Sequence, residues 1–523
     1  MSRKLLKSTA IVSSMTMLSR VLGFARDMVF AQIFGARAIT DAFFVAFKIP
    51  NFMRRLFAEG AFSQSFVPVL GECKKKGKHR DVKDLVDHVS GSLGLLLLIV
   101  TIIGVIAAPI LITIFAPGFV MRQGAEQAEL AASMLRLTFP YLLFISLTAL
   151  AGGILNTYNR FAVPAFTPVL LNICLIGAAI LIAPLMDEPI MALAWGVFVA
   201  GIAQLLFQLP FLWRLRLLPR PRLKRGHTGV AKIKLLMLPA IIGSSVAQVN
   251  LLFDTVIASF LVVGSVSWLY FADRLVEFPL GLFGVALSTV ILPSLSGRHA
   301  EGSSEQFSMV LDWALRWGML VAVPATAGLF MLAGPMIATL FQYGEFDASA
   351  VRMTSWSLMA YSFGLLGFIM VKVLVPGFFA RQDTRTPVRI AIKAMVANMV
   401  LNILFVVPMA LYEMQGPHAG LAFATSCSAI LNASLLYKAL RKQGIYQPVQ
   451  GWGKVMIQVG LACIAMVAVL WWLTADMDSW LQWGVWERIQ NLFGLVGIGA
   501  VVYIVVLLLL GARPWRWKSA IQS

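Results

Sequence analysis

Long apolar runs separated by short polar stretches follow one another from near the first residue to about position 511. A membrane-crossing helix needs about 20 mostly apolar residues. Fourteen stretches reach that length: 8–35, 39–70, 86–116, 128–156, 160–184, 189–212, 235–262, 266–294, 308–340, 350–379, 386–410, 416–440, 453–474 and 487–511. The pattern predicts an all-α polytopic membrane protein with 14 transmembrane helices. The second and eighth stretches depart furthest from the pattern, because both carry charges.

The polar stretches alternate in charge. Residues 73–83 (CKKKGKHRDVK) hold six Lys/Arg and residues 213–234 (WRLRLLPRPRLKRGHTGVAKIK) hold eight. Basic residues also mark 379–389, 438–442 and the C-terminal RPWRWK, whereas the intervening loops carry Glu126, Glu129, Asp187, Glu188, Glu345, Asp347, Glu413, Asp476 and Asp478. Cytoplasmic loops are enriched in Lys and Arg. Both termini are therefore expected in the cytoplasm, and strict alternation fits an even number of spans.

The first twelve spans contain an internal repeat. AAPILITIFAPGF at 107–119 matches AGPMIATLFQYGEF at 333–346, with Pro109, Thr113, Phe115 and Gly118 answering to Pro335, Thr339, Phe341 and Gly344 at an offset of 226. FVPVL at 66–70 matches ILPSL at 291–295, and NTYNRFAVP matches FFARQDTRTP with Pro164 answering to Pro387. An offset of six helices preserves orientation, which predicts two six-helix lobes related by a parallel repeat. Such repeats place the substrate site at their interface and work by rocking one lobe against the other. The expected divisions are an N-lobe at 1–225, including a basic cytoplasmic linker, a C-lobe at 226–445 and two C-terminal helices at 446–523.

Composition narrows the class. The chain is 59% hydrophobic and only 13% charged over 523 residues, where soluble domains run near half apolar and about a quarter charged. No small-residue cleavage site follows a short apolar region, so the first stretch is expected to be a retained span. Cys73, Cys174, Cys427 and Cys463 form no CxxC motif and predict neither a disulfide framework nor a zinc site. The five histidines are scattered, and no catalytic triad, P-loop or HExxH occurs. The net charge of +19 reads as basic loops against anionic lipid rather than as a nucleic-acid surface.

Charges within the spans are the candidate chemistry, since an ionisable group at mid-bilayer costs at least about 2.5–3.5 kcal/mol on insertion scales. The first span holds Arg20, Arg26 and Asp27. The second holds Asp41, Lys48, Arg54, Arg55 and Glu59. The eighth holds Asp273, Arg274 and Glu277, and the tenth holds Lys372. Asp41, Lys48 and Arg55 recur every seven residues and share a stripe, with Glu59 placed to neutralise Arg55 at i+4. Arg54 points about 100° away and has no acidic residue three or four positions off in sequence. Arg274 has Glu277 at i+3, Asp273 has it at i+4, and Asp27 falls on nearly the same face as Arg20. Structural ion pairing is a full alternative for Arg55, Glu59, Asp27 and Asp273, as snorkelling or loop pairing is for Asp41 and Lys48. For Arg26, Arg54 and Arg274, drawn from helices of both lobes, binding is the favoured reading. A guanidinium makes bidentate, charge-assisted bonds to phosphate, so a cavity with surplus arginine selects an anion. A second cluster, Asp254 with Asn398, Asn402 and Thr425, has the oxygen donors of a sodium site, although the same groups would serve interhelical hydrogen bonding.

The runs SSMTMLSRVLGFARD, TDAFFVAFKIPNFMRRLFAEGAFSQSFVPVL, SVSWLYFADRLVEFPLGLFGVALSTVILPSL and VKVLVPGFFARQDTRTPV resemble the MurJ (MviN) family of lipid II flippases. That family lies in the multidrug/oligosaccharidyl-lipid/polysaccharide exporter superfamily. The resemblance covers nearly the whole chain. It implies two six-helix lobes around a central cavity and two further helices forming a groove for a polyprenyl tail. It implies substrate-binding roles for Arg20, Arg26, Arg54 and Arg274, a part for Asp41, and a location in the bacterial inner membrane. The implied substrate is lipid II, a polyprenyl diphosphate bearing a disaccharide-pentapeptide, with membrane lipids and cell-wall synthesis proteins as further partners. No covalent bond breaks during flipping, so no catalytic residue and no cofactor are expected. A sodium ion or the membrane potential is the expected energy source. The rival readings are a cation-coupled drug or polysaccharide-lipid exporter of the same superfamily, whose cavity would be lined by carboxylates, and a non-transporting scaffold.

Overall fold

Lipid offers the backbone no hydrogen-bond partner, and a helix satisfies its own amides within one segment. The computed structural model describes residues 3–56, 62–122, 124–223 and 227–512, with side chains at all of these except 3–10, 238–240, 242–247 and 285. Among the described residues the regular structure is helical and contains no strand. Glu59 lies outside the described residues.

The chain forms two compact units, Met1–Ser267 and Trp268–Ser523. The first contains α1 (Arg3–Phe34), α2 (Ala38–Met53), α3 (Ser63–Lys76), α4 (His79–Ile106), α5 (Ala108–Phe115), α6 (Pro117–Met121), α7 (Ala125–Thr138), α8 (Tyr141–Thr157), α9 (Ala162–Gly177), α10 (Met191–Arg214) and α11 (Thr228–Ser259). α12 (Ser265–Pro279) starts at the end of this unit. There follow α13 (Val285–Ala300), α14 (Ser304–Met331), α15 (Ala333–Phe341), α16 (Ala348–Phe379), α17 (Arg385–Leu411), α18 (Pro417–Lys442), α19 (Trp452–Leu473), α20 (Met477–Gln482) and α21 (Val485–Leu509).

Eleven of the described segments are long and apolar enough to cross a membrane: α4, α7 with α8, α9 with the turns to Leu185, α10, α12 with α13, α14, α16, α17, α18, α19 and α21. These correspond to eleven of the fourteen expected spans. The other three are α1, α2 with α3, and α11. α1 has 32 residues, about 48 Å at 1.5 Å per residue, but carries Arg20, Arg26 and Asp27. The α2–α3 stretch is interrupted by residues outside the description, and α11 includes positions whose side chains are not described.

Within the first unit α1 packs on α9, α2 on α7, and α10 on α8 and α9, while α11 lies along α3, α4, α5 and α6. Pro50 inside α2 cannot donate to the carbonyl of Ala46 four residues earlier. Thr138 Oγ1 of α7 donates to that oxygen at 3.3 Å, so the helix neighbour repairs the proline break. Past Pro50 the backbone widens into a π-helical turn at 54–56 that carries Arg54 and Arg55. Gly118 of α6 is set against the α11 terminus: an added Cβ would stand 2.1 Å from the Ser259 carbonyl oxygen, and its amide donates to Ser259 Oγ at 3.0 Å.

In the second unit α16 is central and packs on α13, α14, α15 and α18, with α17 against α18. The C-terminal pair α19 and α21 rests on α14 and α15. Buried Asp312 of α14 anchors the segment leading into that pair. Its carboxylate accepts from Trp452 Nε1 at 2.6 Å, Tyr446 Oη at 2.7 Å and Val449 N at 3.1 Å, and from Arg316 Nε at 2.7 Å. In the first turn of α21, buried Arg488 donates to the carbonyls of Ala338, Gln342 and Leu481.

Candidate functional site

Arg26 sits two-thirds of the way along α1 and is 6% exposed. Its Nε and Nη2 both donate to Asp27 Oδ1, at 3.0 and 2.6 Å, and its Nη1 donates to Asn172 Oδ1 of α9 at 3.1 Å. Asn172 Nδ2 in turn donates to the Ser19 carbonyl at 3.0 Å. Gly23 faces Asn172, where an added Cβ would meet the amide at an ordinary 3.6 Å contact. The guanidinium carbon also lies 5.6 Å from the centre of the Phe30 ring. Asp27, 1% exposed, thus pairs with its chain neighbour, although helical spacing had aligned it with Arg20.

Arg20 is exposed. It lines a pocket of about 370 Å³ with Thr16 and Ser19 of α1, Asn156 of α8 and the prolines Pro164 and Pro168 of α9. The pocket offers one guanidinium, two hydroxyl-bearing residues and an amide against apolar walls. Those are groups that can hold an anionic oxygen and shield it from water.

Arg54 Nε donates to Asn51 Oδ1 at 3.2 Å, a partner one turn earlier on its own helix. Arg55 on the same π turn is exposed. Asp41, 1% exposed, accepts from Gly264 N at 2.7 Å, Ser267 N at 2.8 Å and Ser267 Oγ at 2.5 Å. It caps the amides opening α12, which no neighbour within that turn supplies. Lys48 on the same stripe is half-buried.

In the second unit Arg274 Nη1 meets Glu277 Oε2 at 2.8 Å, and Nη2 donates toward Tyr270 Oη at 3.2 Å. The Arg274 side chain is 32% exposed, with its guanidinium carbon 4.8 Å from the Tyr270 ring centre. Asp273 is half-buried on the same helix, and Lys372 of α16 is exposed, its stem against Gly284. Asn402 Nδ2 donates to Asn398 Oδ1 at 2.8 Å and Asn398 Nδ2 to Thr425 Oγ1 at 3.2 Å, so these three join α17 to α18. Asp254 belongs to the first unit.

Sequence reasoning passed over Asn172, Asp312 and Arg488. Asn172 interrupts the apolar run VLLNICLIG, a detectable signal, whereas nothing local marks Asp312 as the hub of a segment more than 130 residues away.

A family model described as lipid II flippase MurJ matches residues 30–494. The chain is 48% identical over 526 residues to a protein of Vibrio cholerae named probable lipid II flippase MurJ, covering 100% of this chain and 99% of that one. It superimposes on a solved structure of a lipid II flippase MurJ in an inward closed conformation with a TM-score of 0.79 and 27% identity, covering 95% of this chain and 98% of the other. An inward-facing multidrug resistance MATE family transporter of the MOP superfamily gives a TM-score of 0.67 at 15% identity, over 83% of this chain and 98% of that one. That likeness concerns the fold alone.

Proposed function

Because the chain belongs to the lipid II flippase MurJ family, we propose that it moves lipid II from the cytoplasmic to the periplasmic leaflet by alternating access, with Arg20, Arg26, Arg54 and Arg274 receiving the diphosphate and headgroup. The family is one of transporters. The protein is accordingly a multi-pass membrane flippase rather than an enzyme, and its substrate is a lipid-linked peptidoglycan precursor.

The observation that carries the binding role is the Arg20 pocket, an accessible guanidinium beside hydroxyl and amide groups. Arg274, partly exposed and paired with Glu277, is a second receptor for phosphate oxygens. Arg26 is held in place by Asp27 and Asn172, so it presents its charge from a fixed position. Surplus cationic charge fits an anionic diphosphate and argues against a drug-cation exporter.

Fourteen spans in two parallel six-helix lobes with two C-terminal helices, and both termini in the cytoplasm, are the architecture we assign to this cycle. The repeat has local support: Thr113 Oγ1 donates to the Pro109 carbonyl at 2.9 Å, and Thr339 Oγ1 donates to the Pro335 carbonyl at 2.7 Å. The same short helix with the same back-bond follows a long helix in each half. After release the emptied site is cationic, and a potential negative inside, worth about 2.3 kcal/mol per charge per 100 mV, favours its return to the inward-open state. A sodium ion is the alternative energy source; sodium-dependent transport that is lost in Asp254→Asn would identify it.

The test is complementation of a flippase-depleted strain with Arg20, Arg54 and Arg274 each replaced by alanine. We expect stable expression without growth. Normal growth with all three would overturn the binding role.

A further inference from the structure

Residues 220–222, between α10 and α11, lie on one turn of α4. Arg220 N donates to the Asp87 carboxylate at 2.8 Å and Arg222 N to the Asp87 carbonyl at 3.0 Å. An added Cβ on Gly91 would stand 2.3 Å from the Arg222 carbonyl oxygen, so only glycine admits the segment there. One turn back along α4, Asp84 and His88 stand at i and i+4 on a common face. His227, the residue before α11, arrives against them from the same segment.

His88 is 6% exposed. Its ring stacks on that of His227 with centres 4.7 Å apart and planes at 24°. Asp84 lies between the two: Oδ2 is 3.3 Å from His227 Nε2 and Oδ1 is 3.5 Å from His88 Nδ1. One nitrogen of each ring and one Asp84 oxygen fall within 4.8 Å of one another.

We propose that Asp84, His88 and His227 form a site for one divalent transition metal of the zinc type, which fastens the α10–α11 segment to α4. Bonds of about 2.0–2.1 Å in a tetrahedral zinc site place neighbouring ligand atoms roughly 3.3–3.4 Å apart. The Asp84–His227 contact already matches that edge. His88 Nδ1, which also lies 2.8 Å from the Asp84 carbonyl oxygen, gives up that bond as the rings turn to bring the three ligand atoms, now within 4.8 Å of one another, to it. Two nitrogens and one oxygen suit zinc, cobalt or nickel; calcium and magnesium take all-oxygen shells. Three protein ligands leave a fourth position to water.

Lys83 on α4 is paired with Asp87, and the Arg220 and Arg222 side chains are exposed. His227 Nδ1 accepts from Val230 N at a long 3.4 Å, which puts its proton on Nε2, facing Asp84. Metal uptake at Nε2 moves that proton to Nδ1 and gives up this weak cap.

The test uses the full chain, purified in detergent without a histidine tag. Cobalt(II) is followed by its visible absorption and zinc by calorimetry. Wild type should take up one equivalent with the intense band of a four-coordinate cobalt site. His88→Gln and His227→Gln should each weaken it at least tenfold while melting at the wild-type temperature without metal. Zinc should slow trypsin cleavage after Arg222 in wild type and leave it unchanged in His227→Gln. Uptake by wild type no greater than by the His88→Gln/His227→Gln double variant would overturn the proposal. So would uptake that leaves cleavage at Arg222 unaltered.

Discussion

Replacing Arg26 with alanine removes the charge that meets buried Asp27 at 2.6 Å and the donor to Asn172 at 3.1 Å. Breaking a buried ion pair from one side costs about 3–5 kcal/mol, because the remaining carboxylate is left in a medium that disfavours its charge. Replacing both partners by apolar groups of similar volume removes that penalty. The double variant Arg26→Met/Asp27→Leu should then lose only the amide bond to Asn172, about 1–3 kcal/mol. The double variant should therefore be about 2 kcal/mol more stable than Arg26→Ala, measured by denaturant or thermal unfolding in detergent. Transport separates structure from function in the same set. If Arg26 contacts the diphosphate, the double variant recovers stability and still fails to flip substrate. A double variant no more stable than Arg26→Ala would refute the electrostatic reasoning. Recovery of both stability and flipping would reduce Arg26 to a pin between α1 and α9.

Other parts of the molecule give independent expectations. Asp312→Ala strips one carboxylate from Arg316, Tyr446, Val449 and Trp452; we expect a loss of about 3–5 kcal/mol and faster hydrogen exchange across 445–452. Gly118→Ala drives a methyl group into the Ser259 backbone and should cost about 1–3 kcal/mol, seen as a lower unfolding midpoint. Asp41→Asn puts an amide where a carboxylate accepted from Gly264 and Ser267, which should accelerate exchange of those two amides and slow flipping. Hydrogen bonds from Lys232 and Lys76 hold the Glu72 carboxyl at about 2, below its ordinary 4.5. A depressed folded value means the α3–α11 tether is fully present above pH 4.5 and lost as pH falls toward 2. Exchange at the α3 end should rise in that window, and Glu72→Gln should abolish the dependence.

The helices were legible where apolar runs were long and uncharged, since hydrophobic length alone identifies a span. Legibility fell at α1 and α2, which carry charges within the apolar run. The i, i+3 spacing of Arg274 and Glu277 is met by a 2.8 Å contact, because both lie on one regular turn. Asp27 shares a face of α1 with Arg20 but pairs with Arg26 at 2.6 Å: adjacent residues do not share a helix face, yet a long arginine side chain reaches its neighbour. Arg54 and Arg55 sit on a π turn, which the 3.6-residue period could not foresee. Asp41 stood out as an ionisable residue on a stripe, but its partners Gly264 and Ser267 lie more than 220 residues away. The histidines looked scattered for the same reason: a chain segment, with no periodicity of its own, carries His227 onto α4.

The central claim is that arginine charge on these helices holds the lipid diphosphate during transport. Its most direct test is lipid II translocation by purified protein in vesicles, comparing wild type with Arg54→Lys and Arg274→Lys. Lysine keeps the charge but loses the planar fork that binds phosphate at two points. The account predicts folded variants with translocation reduced at least tenfold and weakened binding of lipid II. Translocation at the wild-type rate in both would contradict it.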